Sequence, residues 1–227
     1  MPIPMFDGPR LDGPRLDGPR RESKSGRADS LVVLLHGYGA HGDDLIGLAD
    51  DLARHLPNAA FVSPHAPEPL QFPGMLCYQW FPLTSRDHAE YWRGACTAAP
   101  RLDDFLDAEL ARWNVGVDRL ALVGFSQGTM MALHVGLRRK IAPAAIVGFS
   151  GRIAGADLIA GELTCKPPVL LVHGAEDDVI DVSALEETTA SLKAAGIPVE
   201  WHERPGLGHG IDEVGLELAG TFLAARL

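Results

Sequence analysis

The segment Leu120–Gly128, LALVGFSQG, constrains this chain more than any other. A short apolar run, LALVG, reads as a buried strand, and TMMALHVGL after it repeats apolar residues at helical spacing. Between them Gly124-Phe125-Ser126-Gln127-Gly128 forms a G-x-S-x-G turn. A strand can pass into a helix this abruptly only if the residues two before and two after the serine lack bulky side chains, and both are glycine. Ser126 then projects its hydroxyl from the strand end, with the helix N-terminus directing amide hydrogens toward any negative charge that develops there. The five-residue pattern by itself recurs by chance; the flanking strand and helix give it chemical weight.

The rest of the chain repeats the alternation. Apolar strands are expected at Leu31–Leu35, Ala60–Val62, Ala145–Phe149 and Val169–Val172, and a further strand at Val199–His202. Helices are expected in DDLIGLADDLARHL, over Pro100–Trp113, Gly128–Arg139 and Ser183–Ala195, and over Asp212–Arg226 at the end. Such a succession implies an α/β protein with a mainly parallel sheet covered by helices on both faces. Sheets of this kind carry their chemistry in loops at the carboxyl ends of the strands. The expected organisation is one domain over residues 29–227 preceded by an arm, residues 1–28. Within the arm FDGPR, LDGPR and LDGPR follow one another from Phe6 to Arg20. Gly-Pro in each unit opposes helix and strand alike, so the arm is expected to be flexible or loosely docked.

Charge and cysteine usage exclude several classes. Thirty acidic residues against 20 basic ones give a net charge of -10, and Arg138-Arg139-Lys140 is the longest basic cluster. That argues against nucleic acid as a partner. Cys77, Cys96 and Cys165 are odd in number and far apart, which suits neither a disulfide framework nor a zinc site. No apolar run is long enough to span a bilayer, which argues against stable membrane insertion, and the N-terminus lacks the apolar stretch of a secretory signal. A cytoplasmic location is expected. A homodimer stays open, with apolar surface expected near the Trp80 loop.

A serine hydroxyl needs a base, usually a histidine oriented by a carboxylate. The strand Val169–Val172 runs into HGAEDDV, where Asp177 is the preferred acid; Glu176, Asp178 and the more distant Asp181 are its rivals. His209, in the glycine-flanked loop GLGHG before the last helix, is the preferred base. His202, inside a strand, and His173, at the opening of the acid loop, read as hydrogen-bonded structural histidines. The remaining histidines show no metal-ligand spacing, so no metal or cofactor is expected. An oxyanion needs two donors, and the backbone amides of Gln127, after the nucleophile, and Tyr38, in the HGYG turn after the first strand, are the candidates.

HGYG, GFSQG, HGAEDDV and GLGHG, in this order, resemble the phospholipase/carboxylesterase family of α/β-hydrolases, which includes the acyl-protein thioesterases. The likeness runs from about Leu31 to the C-terminus. QWFPL at Gln79–Leu83 is similar to the family's Trp-Phe substrate-loop motif. The resemblance implies an α/β-hydrolase fold, a triad of Ser126, Asp177 and His209, and oxyanion amides from Tyr38 and Gln127. Two positions depart from the pattern: Tyr38 stands where many relatives have Leu, and Asp181 replaces a proline common in the acid loop.

What the resemblance implies is hydrolysis of carboxylic esters, with lysophospholipids and protein thioesters among the family's substrates. The aromatic, apolar segment of Met75, Leu76, Tyr78, Trp80 and Phe81 suits an acyl pocket and suits core packing equally. Two other readings remain at the level of sequence: a serine peptidase or amidase on the same scaffold, and a catalytically silent binding protein.

Overall fold

The computed structural model describes residues 15–227 apart from 73 and 157. Two units of the repeat, Phe6–Arg10 and Leu11–Arg15, lie outside the described residues except for Arg15. The chain opens with β1 (Arg20–Arg21), β2 (Ser30–Leu35), two one-turn helices, α1 (Gly42–Ile46) and α2 (Leu48–Leu52), and β3 (Ala59–Val62). A hairpin of β4 (Glu68–Phe72) and β5 (Met75–Gln79) precedes α3 (His88–Trp113). The elbow joins β6 (Leu120–Phe125) to α4 (Gln127–Gly136), followed by β7 (Ala145–Phe149) and α5 (Ile159–Glu162). The last elements are β8 (Val169–Gly174), α6 (Ser183–Ala194), β9 (Val199–Arg204) and α7 (Glu213–Ala224).

Seven strands form one sheet in the order β1-β3-β2-β6-β7-β8-β9, parallel throughout except for β1, which runs antiparallel along β3. This is the mainly parallel sheet that the strand-helix alternation predicts, and it agrees with the α/β-hydrolase fold that the resemblance implies. Because side chains alternate across a strand, β2 feeds two cores. Leu31, Val33 and Leu35 join the face covered by α3, α4 and α6, while Val32 and Leu34 join the face covered by α1, α2 and α7. Both faces of the central strands are therefore apolar, which accounts for their unbroken hydrophobic runs.

Three of the expected elements are built differently, and β1, within the stretch expected as an arm, and α5 were not expected at all. The helix expected to start at Pro100 starts at His88 and carries Pro100 in its middle. Asp87 caps it through the Glu90 amide, and Tyr91, Ala95, Ala98, Leu102, Leu106 and Leu110 keep one buried face along its whole length. Burial of that face offsets the roughly 3 kcal/mol that an interior proline costs a helix. The Pro-rich stretch read as loop contains the β4–β5 hairpin, in which Pro69 faces Tyr78. The helix expected across DDLIGLADDLARHL is divided into α1 and α2 at Gly47. Among the described residues no helix is long and apolar enough to cross a membrane.

Candidate active site

Ser126 sits between β6 and α4 with φ 55° and ψ −116°. A non-glycine residue in that region is strained, and the strain is held by close packing on both sides. A Cβ on Gly124 would lie 2.4 Å from Gly128 O, and one on Gly128 would lie 1.9 Å from Leu35 O. The two glycines thus let the turn close against β2. Ser126 N donates to Phe149 O at 2.9 Å, and Thr129 Oγ1 lies 2.9 Å from both Gly124 O and Phe149 O, fixing the turn to β7.

Asp177, just past β8, is buried. Its Oδ1 accepts from the amides of Val179 and Ile180, each at 2.9 Å, and its Oδ2 accepts from His209 Nδ1 at 2.8 Å. Burial alone would raise the carboxyl, but the hydrogen bond from His209 and those from the Ile180 and Val179 amides together hold it below its ordinary value. The rivals are placed elsewhere. Asp178 and Glu176 are exposed, and Asp181 lies just before α6, where it accepts from the Ser183 amide at 2.9 Å.

His173 is fully buried and donates through Nε2 to Ile180 O at 2.8 Å, with Asp177 Oδ2 3.2 Å away. It braces the acid loop from beneath, as a structural histidine would. His202 lies in β9, and His209 alone of the three lines the cavity above Ser126. The ring of Phe125 lies 4.9 Å from that of His209, centroid to centroid, and supports it from the elbow.

The cavity has a volume of about 180 Å³ and brings together Tyr38, Ser126, Gln127 and His209, walled by Leu83, Phe125, Met130 and Ile180. Among the described residues the amides of Tyr38 and Gln127 have no backbone partner. The Tyr38 amide is aimed by His36. That ring is buried, its Nε2 accepts from the Ala66 amide at 2.9 Å, and its Nδ1 therefore donates to Gly37 O at 2.7 Å. Gly37 O and Tyr38 N–H belong to one peptide plane and point in opposite directions, so holding the carbonyl aims the amide. Burial pushes His36 down to about 4, which keeps this tautomer neutral, although the hydrogen bond to Gly37 acts in the other direction.

Gln127 contributes more than its amide. Its side chain accepts from Trp80 N at 2.9 Å and donates to Phe81 O at 2.8 Å, and Trp80 Nε1 donates to His36 O at 2.9 Å. The elbow, the Trp-Phe segment and the HGYG turn are thereby tied into one unit. Neither the Gln127 side chain nor His36 was singled out from sequence, because their partners are distant carbonyls and amides.

Of the two readings of the aromatic segment, core packing holds for its two largest residues. Trp80 and Phe81 are core residues, each 1% exposed, whereas Leu76 points outward at 66% exposure. Tyr78 stacks on His65 at 5.2 Å, and Met75 is the first residue of β5. Packing of Trp80 and Phe81 beneath the loop also removes them from the apolar surface expected there. Among the described residues no group of His, Cys, Asp or Glu is arranged to hold a metal ion.

The family model described as phospholipase/carboxylesterase matches residues 17–227. Acyl-protein thioesterase 1 of Neurospora crassa is 29% identical over 88% of this chain and 88% of its own length. Esterase YpfH of Escherichia coli is 28% identical over 85% of this chain and 81% of its own. The solved structure of esterase PE8 is 42% identical, covers 94% of this chain and 100% of its own, and superposes with a TM-score of 0.87.

Proposed function

The chain belongs to the phospholipase/carboxylesterase family, and on that premise we propose that this carboxylic ester hydrolase works through an acyl-enzyme on Ser126. The observation that carries the proposal is the hydrogen bond from His209 Nδ1 to the buried Asp177, beside a serine held on a strained elbow in the same cavity. His209 Nε2 takes the proton of Ser126 as Oγ attacks the ester carbonyl. Asp177 fixes the tautomer that leaves Nε2 free and stabilises the imidazolium that forms. The Tyr38 and Gln127 amides donate to the oxyanion of the tetrahedral intermediate, which collapses as His209 returns the proton to the leaving alcohol or thiol. Water, activated by the same histidine, then attacks the acyl-enzyme, and Ser126 recovers its proton.

The cavity supports esters of short acyl chains. Its walls are mostly apolar, with Leu83, Phe125, Met130, Val179 and Ile180 among them and Arg86 the charged exception, and its volume is about 180 Å³. Hydrolysis of p-nitrophenyl esters from acetate to palmitate, measured beside Ser126→Ala, tests the reading. Turnover that disappears in the variant without loss of folding is the expected result. Undiminished turnover in Ser126→Ala would remove the proposal.

A further inference from the structure

Arg86 is an exposed residue that also lines the cavity of Ser126, and its backbone is strained there. Its φ of 55° lies in the left-handed region, which glycine occupies freely and a bulky side chain rarely does. Ser126 shares a φ of 55°, and strained backbone of this kind collects at functional sites. The loop that carries Arg86 is pinned at both ends. On one side Gln127 Nε2 donates to Phe81 O at 2.8 Å. On the other the carboxylate of Glu90, in the first turn of α3, accepts from the amides of Thr84, Ser85 and Arg86 at 2.8, 3.2 and 2.6 Å.

These bonds occupy the acids that could neutralise the guanidinium. Glu90 is taken up by the three amides, and Asp87 by the Glu90 amide at 2.7 Å and Ser85 Oγ at 2.8 Å. Among the described residues Arg86 enters no ion pair, and no carboxylate lines the cavity. Arg152, whose guanidinium lies 5.6 Å from the centre of the Tyr91 ring in the cavity wall, is by contrast paired with Glu187. We propose that Arg86 selects esters bearing a second, unesterified carboxylate, which its guanidinium binds while the ester carbonyl sits at Ser126. The proposal rests on the acyl-enzyme reading of the same cavity. A planar guanidinium offers paired N–H donors that match a carboxylate. A phosphate dianion would call for a second cation, and Arg152 is already committed to Glu187. The net charge of -10 repels an anion at long range, so a cation in the cavity wall is the local feature that admits one.

Two ester pairs test this and locate the carboxylate. p-Nitrophenyl hydrogen adipate against p-nitrophenyl hexanoate places it on the acyl chain, and 4-acetoxybenzoate against methyl 4-acetoxybenzoate places it on the alcohol. Each pair is read as a ratio of kcat/KM, charged over neutral, within one protein, so that a general loss of activity or of folded protein cancels. Arg86→Gln should lower the ratio of at least one pair by about tenfold or more, and Arg86→Lys, which keeps the charge without the fork, should lower it less. Arg86→Gly suits the left-handed backbone, folds without the strain, and should lower the ratio as Arg86→Gln does. In the parent the same ratio should fall as salt rises. The pair that responds assigns the carboxylate to the acyl or the alcohol side. Ratios unchanged in both Arg86→Gln and Arg86→Gly would overturn the proposal and leave the acyl-enzyme reading in place. Neutral esters hydrolysed as well by Ser126→Ala as by the parent would overturn both.

Discussion

His209 Nδ1 donates to Asp177 Oδ2 at 2.8 Å, while the other carboxylate oxygen of Asp177 is held by the amides of Val179 and Ile180. Three donors therefore fix the carboxylate in place before any substrate arrives. Asp177→Asn keeps the shape but offers an amide N–H or a poorer acceptor to the ring, which favours the tautomer that cannot act as base. Ester hydrolysis should fall on the order of 10⁴-fold in kcat with little change in KM. An equal rise in KM without loss of kcat would contradict the orienting role.

The lowered carboxyl of Asp177 also bears on stability. A depressed folded-state value means the contribution is present above the ordinary carboxylate value and is lost as pH falls through the lower folded one. Asp177→Asn should thus weaken the acid-side dependence below about pH 4 while leaving that above pH 6 unchanged, read from denaturant midpoints across pH.

Two buried histidines act over a higher window. Burial pushes His36 down to about 4 and His134 down to about 3, the latter with Arg138 nearby adding to the shift. Both are neutral in the folded chain where the unfolded chain binds protons, so their stabilisation is complete above about pH 6.5 and declines as pH falls toward 4. Each contributes a slope of up to about 1.4 kcal/mol per pH unit in that window. His134 packs edge-on against Trp92 at 5.2 Å, and its Nδ1 has no partner among the described residues. His134→Leu should therefore flatten the decline between pH 6 and 4 without altering ester hydrolysis at neutral pH; an unchanged slope would show that other groups govern it.

The Gln127 side chain ties the elbow to Trp80 and Phe81 through buried hydrogen bonds. Gln127→Ala leaves the backbone amide proposed as an oxyanion donor but strands Trp80 N and Phe81 O, at a cost of about 1–3 kcal/mol for each buried group left unpaired. A Tm lower by several degrees is expected, with a smaller loss of kcat than Asp177→Asn produces.

Acyl-chain preference follows from the cavity. Across the p-nitrophenyl series kcat/KM should peak at or below hexanoate and be at least tenfold lower at palmitate. A maximum at palmitate would mean that the chain lies along the surface rather than between Leu83, Met130 and Ile180.

The elbow was legible because its requirements are local: Gly124 and Gly128 stand where a Cβ would strike Gly128 O and Leu35 O. The central strands were legible because both faces are buried, which leaves an unbroken apolar run in each. The first half of α3 was hidden by Pro100, which is as compatible with a helix start as with a long helix able to absorb it. The β4–β5 hairpin was hidden by its prolines, which mark loops more often than strands. In the cavity, Leu83, Tyr91 and Met130 come from separate elements, and Gln127 and His36 are satisfied by Phe81 O and the Ala66 amide, 46 and 30 residues away. Such pairings depend on the packed fold, and no local spacing carries them.

The central claim is that Ser126 is the nucleophile, and a fluorophosphonate tests it most directly, since the reagent bonds covalently only to a serine activated by its neighbours. Intact-mass and peptide mass spectrometry should find one adduct, on Ser126, absent from Ser126→Ala and strongly slowed in Asp177→Asn. Active enzyme that takes up no adduct, or takes it up on another residue, would contradict the account.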